Sequence, residues 1–212
     1  MIKALVFDID GVLIDSFDAN LKFFQDLLSK AGYKPPTKKE YYPIFHLSML
    51  DVIRICTKSS DEKEIKRVWE MGRSRKVKYP IFLLKTTKDL EKTIIELSGK
   101  YLLGIVTNRV KEGIYKIPVL SRLQKYFQIT VAYQDTKNHK PHPDPLLLAC
   151  KKLGVNPDEA VYVGDAQSDI IAGKAAGMKV IFFSQVINNN ADATTSQFQK
   201  LPKLVESFNL QP

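Results

Sequence analysis

Two acidic residues, separated by a single residue, lie close to the start of the chain. Asp8 and Asp10 follow the apolar run Ala4–Phe7, and Gly11 comes directly after them. A short apolar run that ends at a glycine predicts a buried strand leading into a turn, and side chains at i and i+2 can face one ligand. Neighbouring carboxylates repel each other, so the pair needs a cation, a shared proton, or both. Phosphoryl transfer through an aspartate requires this combination.

Strands alternate with helical patterns along most of the chain, which predicts an α/β fold with a mostly parallel sheet. In such sheets, ligands bind at the carboxyl ends of the strands. Five apolar runs predict strands: Ala4–Phe7, Leu102–Val106, Ile129–Tyr133, Ala160–Val163 and Val180–Phe183. The intervening pattern also predicts helices over Leu47–Cys56, Glu62–Lys78, Gln167–Ala176 and Lys203–Phe208, a capping box at Thr86–Asp89, an N-cap at Asp144, and a polar surface loop at Asn188–Ser196.

Further polar residues follow the later strands and converge on the same edge in this prediction. Hard carboxylate oxygens suit magnesium, which would offset the crowded negative charge. A lysine adds positive charge beside the nucleophile, and a threonine hydroxyl with the next backbone N–H can bind a phosphoryl oxygen. These residues are Thr107 and Asn108 after the second strand, Lys140 beyond the third, and Asp165 with Asp169 after the fourth.

With these residues in this order, the chain resembles the haloacid dehalogenase superfamily, in its phosphoglycolate phosphatase-like branch. Asp8–Ser16 is similar to the first motif of the family, and Thr107-Asn108 is similar to the second. Lys140 stands for the third motif and Gly164–Asp169 for the fourth. The four motifs together span nearly the whole chain.

The resemblance implies a doubly wound, Rossmann-like sheet with a small inserted helical cap. The expected division is residues 1–14 and 81–212 as catalytic core and 15–80 as cap. It further implies that Asp8 becomes a phosphoaspartate, while Asp10 protonates the leaving oxygen and then deprotonates the hydrolytic water. The implied magnesium ligands are Asp8, the Asp10 carbonyl and Asp165, with Asp169 acting directly or through water. The implied phosphate contacts are Gly11, Thr107, Asn108 and Lys140.

Substrate choice in capped members of the family lies in the cap. Phe17 follows the first motif closely and could face the leaving group, together with Tyr42. His46 is also compatible with simple packing, and Arg54 with a solvated helix face. We interpret Arg109, which follows the second motif, as a surface residue rather than a site residue. For Asp169 an alternative is that its negative charge only stabilises the start of a helix.

Composition and charge exclude several classes of protein function. The chain has 212 residues, a net charge of +9, 44% hydrophobic residues and two cysteines that form no CxxC pair. No apolar run is long enough for a membrane span, and no secretory signal, zinc motif or nucleic-acid signature stands out. We therefore expect a cytoplasmic monomer or homodimer that acts on a small phosphorylated metabolite, without nucleic acid or membrane as partner.

Three functions fit these observations. The leading prediction is a magnesium-dependent phosphomonoester hydrolase. A phosphomutase of the β-phosphoglucomutase type shares the core motifs, and a phosphometabolite-sensing protein that retains the pocket is the third. The presence of Asp10 argues against a sensor, since binding alone would not need a second acid.

Overall fold

A six-stranded parallel sheet forms the centre of the fold. The computed structural model describes residues 1–74 and 76–210. The strand order is β5-β4-β1-β6-β7-β8, and each neighbouring pair is parallel. The strands are β1 (Ala4–Phe7), β4 (Leu102–Val106), β5 (Ile129–Val131), β6 (Ala160–Gly164), β7 (Lys179–Phe183) and β8 (Ala193–Thr195), while β2 (Ile14–Asp15) and β3 (Lys85–Thr86) pair separately. The predicted α/β fold class is confirmed.

The chain divides into two units, residues 1–15 with 86–212 and residues 16–85. The sheet belongs to the first unit, together with helices α5 (Leu90–Ser98), α6 (Lys111–Ile114), α7 (Pro118–Leu123), α8 (Asp144–Leu153), α9 (Gln167–Ala175) and α10 (Leu201–Asn209). The second unit holds α1 (Phe17–Ala31), α2 (Lys38–Tyr41), α3 (Met49–Thr57) and α4 (Glu62–Arg73). The division predicted from sequence, at 14/15 and 80/81, remains a proposal.

Strand β1 is buried on both faces, as expected for the middle of a parallel sheet. Ala4 and Val6 join a cluster with residues of α8 and α9 on one face. On the other face, the ring of Phe7 stacks on Phe198 with centroids 6.0 Å apart. Because helices cover both faces, water reaches the central strands only at their ends, and a polar site must lie there.

The second unit has its own apolar core. Helix α1 ends at Gly32, whose φ of 89° gives the left-handed turn that closes the helix. The core side chains from α1 to α4 are Phe24, Leu27, Leu28, Tyr41, Val52, Ile53, Ile65 and Val68. Across residues 1–74 and 76–210, no helix combines the length and apolar content needed to cross a bilayer.

Several local predictions are wrong, and hydrogen bonds account for most of them. The capping box at Thr86–Asp89 does not form, because Thr86 lies in β3 and Asp89 is itself the N-cap of α5, which begins at Leu90. Asp144 is the first residue of α8 rather than its N-cap, and its carboxylate accepts from the Asn138 amide at 2.9 Å.

Three predicted elements differ in length or type. The third strand ends at Val131, because Asp135 accepts from the Ala132 N–H at 2.8 Å and closes a 3₁₀ turn. The predicted loop at Asn188–Ser196 contains β8, which gains its order by pairing with β7. Helix α4 ends at Arg73 instead of Lys78. A helix that continued through Lys78 would approach Pro80, which has no N–H to donate to the Lys76 carbonyl. Arg75 lies outside the described residues.

Candidate active site

Asp8 lies at the carboxyl edge of the sheet, directly after β1. Its N–H donates to the carbonyl of Val163 in β6 at 2.9 Å, and the Thr107 N–H donates to Val131 in β5 at 3.0 Å. These bonds extend the strand pairing by one residue, so both side chains emerge where the sheet ends. The Asp8 side chain is only 11% exposed. The sheet thus places a nearly buried carboxylate at the edge where ligands bind.

Lys140 joins two of the predicted acids. Its ammonium lies 2.9 Å from the Asp8 carboxylate and 2.7 Å from that of Asp169. It also donates to the Tyr162 hydroxyl at 2.8 Å, so all three ammonium donors can be used. Burial alone lowers the pKa of Lys140, but Asp169 and Asp8 outweigh it and the net shift is upward. The lysine therefore stays charged inside the protein.

Asp169 is held by four hydrogen bonds. One carboxylate oxygen accepts from Lys140 at 2.7 Å and from the Tyr162 hydroxyl at 3.0 Å. The other accepts from the backbone N–H groups of Asp165 at 3.1 Å and Ala166 at 3.0 Å, at the start of α9. This arrangement fixes the orientation of the carboxylate and also orients the loop that carries Asp165.

Gly11 makes room for the Asp165 carboxylate. Its φ of 74° is a left-handed conformation, and a Cβ at this position would lie 1.8 Å from an oxygen of Asp165. The Gly11 N–H donates to the Ile14 carbonyl at 2.8 Å, which fixes the turn. The glycine therefore lets Asp165 approach the chain that carries Asp8 and Asp10.

The carboxylates form a group that suits a divalent cation. One oxygen from each of Asp8, Asp165 and Asp169 lies within 4.8 Å of the others. Burial raises the pKa of Asp8 to about 7, although Lys140 acts in the opposite direction. Burial and the neighbouring carboxylates raise the pKa of Asp165 well above its ordinary value. Hard oxygen donors that repel each other in a buried space fit a cation such as magnesium.

Asp10 is bound by Arg109, which the sequence analysis placed at the surface. The Arg109 Nε and Nη2 atoms donate to the two Asp10 carboxylate oxygens, both at 2.6 Å. The Arg109 side chain is 17% exposed, so the surface interpretation is wrong. The Arg109 N–H also donates to the Thr107 hydroxyl at 3.2 Å. The residue after the second motif thus contacts members of two motifs.

Comparison with known proteins agrees with this geometry. The haloacid dehalogenase-like hydrolase family matches residues 5–183. The chain belongs to this family. It is 30% identical to the pyrophosphatase PpaX of Bacillus pumilus, over 84% of this chain and 81% of that protein. The predicted family and enzyme class, a phosphatase among these hydrolases, are confirmed.

Solved structures share the fold. A predicted phosphoglycolate phosphatase from Haemophilus somnus has a TM-score of 0.79 at 22% identity and covers 96% of this chain and 98% of its own. The β-phosphoglucomutase of Clostridium difficile has a TM-score of 0.80, also at 22% identity, over 99% and 98% of the two chains. The same fold therefore accommodates proteins named for different reactions.

As a haloacid dehalogenase-like hydrolase, the chain brings the four motifs together within one unit. Asp8, Lys140, Asp165 and Asp169 form one cluster of charges, and the Thr107 hydroxyl accepts from the N–H of Arg109, whose guanidinium binds Asp10. Asn108 follows Thr107 at the end of β4, as the sequence predicted. Their catalytic roles remain proposals.

The predicted specificity residues lie in the second unit. The ring of Phe17 packs against those of Tyr41, Tyr42 and Phe45, with centroids 5.4–5.8 Å apart. His46 meets Phe45 edge-on at 5.9 Å. Arg54 pairs with Asp51 at 3.2 Å and with Glu62 at 3.0 Å. Phe17, Tyr42 and His46 thus form an aromatic group, whereas Arg54 belongs to an ion-pair network.

Sequence reasoning missed two residues of the site. Tyr162 is fully buried in β6, where its hydroxyl lies between Lys140 and Asp169. A tyrosine within a strand that is otherwise apolar needs a partner for its hydroxyl, and this signal could have indicated it. For Arg109, the sequence contains no comparable signal, because side-chain direction after a strand end depends on the loop.

Proposed function

We propose that the chain is a magnesium-dependent phosphatase that forms a phosphoaspartate on Asp8 and releases phosphate from a small phosphorylated metabolite. The observation that carries this proposal is the position of Lys140, between Asp8 and Asp169 at the sheet edge. A fixed ammonium beside a carboxylate lowers the repulsion that an incoming phosphate dianion would meet.

Hydrolysis would proceed in two displacements. A carboxylate oxygen of Asp8 attacks phosphorus, the bond to the leaving oxygen breaks, and Asp10 gives that oxygen a proton. Water then attacks the phosphoaspartate and passes a proton to Asp10. The bond between phosphorus and the Asp8 oxygen breaks, and inorganic phosphate leaves. Both residues return to their starting states.

The remaining residues bind and orient the phosphoryl group. Thr107 and the N–H of Asn108 would donate to its oxygens, and Lys140 would supply positive charge. Asp8, Asp165 and the Asp10 carbonyl would hold magnesium, which offsets charge on the phosphoryl group when bound. Because each oxygen of Asp169 already accepts two hydrogen bonds, we assign it to positioning Lys140 and the Asp165 loop rather than to direct coordination.

Two substrate classes are the first to test. Phosphomonoesters such as phosphoglycolate follow from the motif resemblance, and inorganic pyrophosphate follows from the pyrophosphatase PpaX similarity. In this proposal residues 15–80 act as a cap that excludes water and reads the leaving group. Phe17, Tyr42, His46 and Arg54 are its candidate contacts.

A phosphate-release assay tests the proposed function. Purified protein is offered phosphoglycolate, pyrophosphate, sugar phosphates and nucleoside monophosphates, each with magnesium or with a chelator. Asp8→Asn should lower turnover at least about 10⁴-fold, whereas Asp158→Asn, at an exposed aspartate, should leave it unchanged. Full activity in Asp8→Asn, or no phosphate release from the wild-type protein, would contradict the proposal.

The two alternatives give different products in the same assay. A phosphomutase would convert glucose 1-phosphate to glucose 6-phosphate with little free phosphate. A sensing protein would bind a phosphorylated metabolite tightly and release nothing. We favour the phosphatase because the pyrophosphatase relative is the more similar in sequence, whereas the mutase is similar in fold.

A further inference from the structure

The Tyr162 hydroxyl lies inside the charged cluster but has no role in the proposed mechanism. Tyr162 is fully buried in β6, and its ring belongs to the apolar cluster that α8 and α9 form against the sheet. The hydroxyl meets Lys140 at 2.8 Å and Asp169 at 3.0 Å. A packed ring thus carries a hydroxyl to a fixed point between a cation and an anion.

Three polar atoms of the cluster form a closed triangle: the Lys140 ammonium, the Tyr162 hydroxyl and one oxygen of Asp169. Its sides are 2.7, 2.8 and 3.0 Å. An ammonium only donates and an ionised carboxylate only accepts, so the third member must do both. The phenol hydroxyl does so, since it accepts from Lys140 and donates to Asp169. The ammonium lies 5.5 Å from the ring centre, so the close contact is made through the hydroxyl.

The three partners of Lys140 differ in how constant they are during the proposed reaction. Asp8, at 2.9 Å from the ammonium, loses its negative charge when its oxygen is esterified to phosphorus and regains it on hydrolysis. Asp169 and Tyr162 undergo no such change. Because the stem of a lysine is long and flexible, an ammonium held by Asp169 alone could turn away from Asp8. The hydroxyl supplies a second constant contact.

We propose that Tyr162 is a positioning residue, whose hydroxyl is oriented by Asp169 and fixes the Lys140 ammonium beside Asp8 while the charge on Asp8 changes. This inference rests on the proposed function. There, Lys140 supplies positive charge to the reacting groups, and here Tyr162 determines where that charge lies. A hydroxyl that only satisfies buried polar groups would contribute to stability, whereas a positioning residue also contributes to the catalytic rate.

Tyr162→Phe tests the proposal, because it removes the hydroxyl and keeps the ring. Its matched control is Tyr33→Phe in the second unit, which removes a hydroxyl that donates to the Glu64 carboxylate at 2.8 Å. Both are compared with the wild type, using the best substrate of the phosphate-release assay at a temperature where each protein is folded. We expect Tyr162→Phe to lower kcat and kcat/KM equally, by about tenfold, with KM unchanged within about twofold. Tyr33→Phe should leave both constants unchanged.

Hydrogen exchange at the Lys140 ammonium gives a second readout that needs no turnover. It is followed by NMR on protein whose lysines carry a heavy nitrogen isotope, and Lys140→Arg identifies the signal by its loss. The Lys140 side chain is 3% exposed, so its exchange should be slow in the wild type, unlike that of Lys22, which is 50% exposed. Tyr162→Phe should accelerate the exchange at least about tenfold, and Tyr33→Phe should not.

Three results would overturn the proposal. The first is an unchanged kcat in folded Tyr162→Phe, whatever happens to KM. The second is a lower kcat with an unchanged exchange rate, because the hydroxyl would then not act through Lys140. The third is rapid exchange at Lys140 in the wild type, which applies even if Tyr162→Phe does not fold. A wild type that releases no phosphate would instead overturn the proposed function, and the exchange rates would still decide whether the hydroxyl holds Lys140.

Discussion

The same kinds of charged residues have different surroundings in the two units. In the first unit, the side chains of Lys140, Asp8 and Asp169 are 3%, 11% and 1% exposed. In the second, Arg54 and its partner Glu62 are 43% and 73% exposed. Both groups have ion-pair distances of 2.7–3.0 Å. Distance alone therefore does not separate a candidate catalytic cluster from a surface network.

Burial makes the difference. Around Lys140, removing any one charge leaves another charge buried without compensation, which is strongly destabilising. Around Arg54, water and ions screen the charges, and a lost pair has little effect. Buried charged groups with partners are typical of functional sites, so the cluster in the first unit is the better candidate for catalysis.

Lys140→Met should produce the largest effect. The side chain keeps most of its volume, but Asp8 and Asp169 lose the cation between them. We expect the free energy of unfolding to fall by about 3 kcal/mol, measured by urea denaturation, and phosphatase turnover to fall at least about 100-fold.

Lys22→Met is the control for this change, because Lys22 pairs with Asp26 at 2.6 Å on the exposed side of α1. Its effect should stay below about 0.5 kcal/mol. Equal destabilisation by the two substitutions would show that burial does not determine how much each ion pair contributes to the free energy of unfolding.

Two glycines with positive φ give a second contrast. Gly11→Ala and Gly32→Ala both introduce a Cβ in a left-handed conformation, at a backbone cost of about 1–2 kcal/mol. Around Gly32 nothing lies within 4 Å, whereas the Cβ at Gly11 meets Asp165. Gly11→Ala should therefore also raise the magnesium concentration for half-maximal activity at least about tenfold, and Gly32→Ala should not. Equal metal dependence in both variants would contradict the role assigned to Gly11.

The pH dependence of Glu64 tests the exposed ion pairs of the second unit. Hydrogen bonds from Arg67 and Tyr33 lower the pKa of Glu64 to about 2. A depressed pKa in the folded state means that the stabilising contribution is present above the ordinary value near 4.5 and is lost as the pH falls toward 2. Carboxyl NMR should therefore show Glu64 ionised at pH 3.5, and Glu64→Gln should remove this contribution. Titration near 4.5 would contradict it.

The sequence predicted the strands and the motif residues at their ends because both signals are local. Asp8, Lys140 and Asp165 each follow an apolar run or a turn that can be recognised without tertiary contacts. Strand β8 was missed because Ala193–Thr195 is short and weakly apolar, and its order depends on pairing with β7. Local patterns cannot indicate a partner that lies elsewhere in the chain.

Side-chain direction was the other limit. Asp10 and Arg109 are 99 residues apart, and their ion pair depends on the adjacent positions of β1 and β4. The sequence placed both residues after strands, yet strand order and loop geometry decide that they meet. Thr86 likewise pairs with β2 as part of β3 instead of capping α5, so the predicted cap is absent. Both outcomes depend on a partner that lies far away in the sequence.

Arg54→Gln should give the smallest effect, and it also tests a predicted specificity residue. Because its guanidinium already pairs with two exposed carboxylates, loss of the charge should change the free energy of unfolding by less than about 1 kcal/mol. We expect KM for the best phosphate substrate to change less than about twofold, since binding substrate would require those pairs to open. Steady-state kinetics beside Arg122→Gln, which removes an exposed arginine paired with Glu91, provides the check. A tenfold rise in KM for Arg54→Gln alone would instead assign Arg54 to substrate recognition. It would mean that Arg54 leaves its exposed ion pairs when substrate binds.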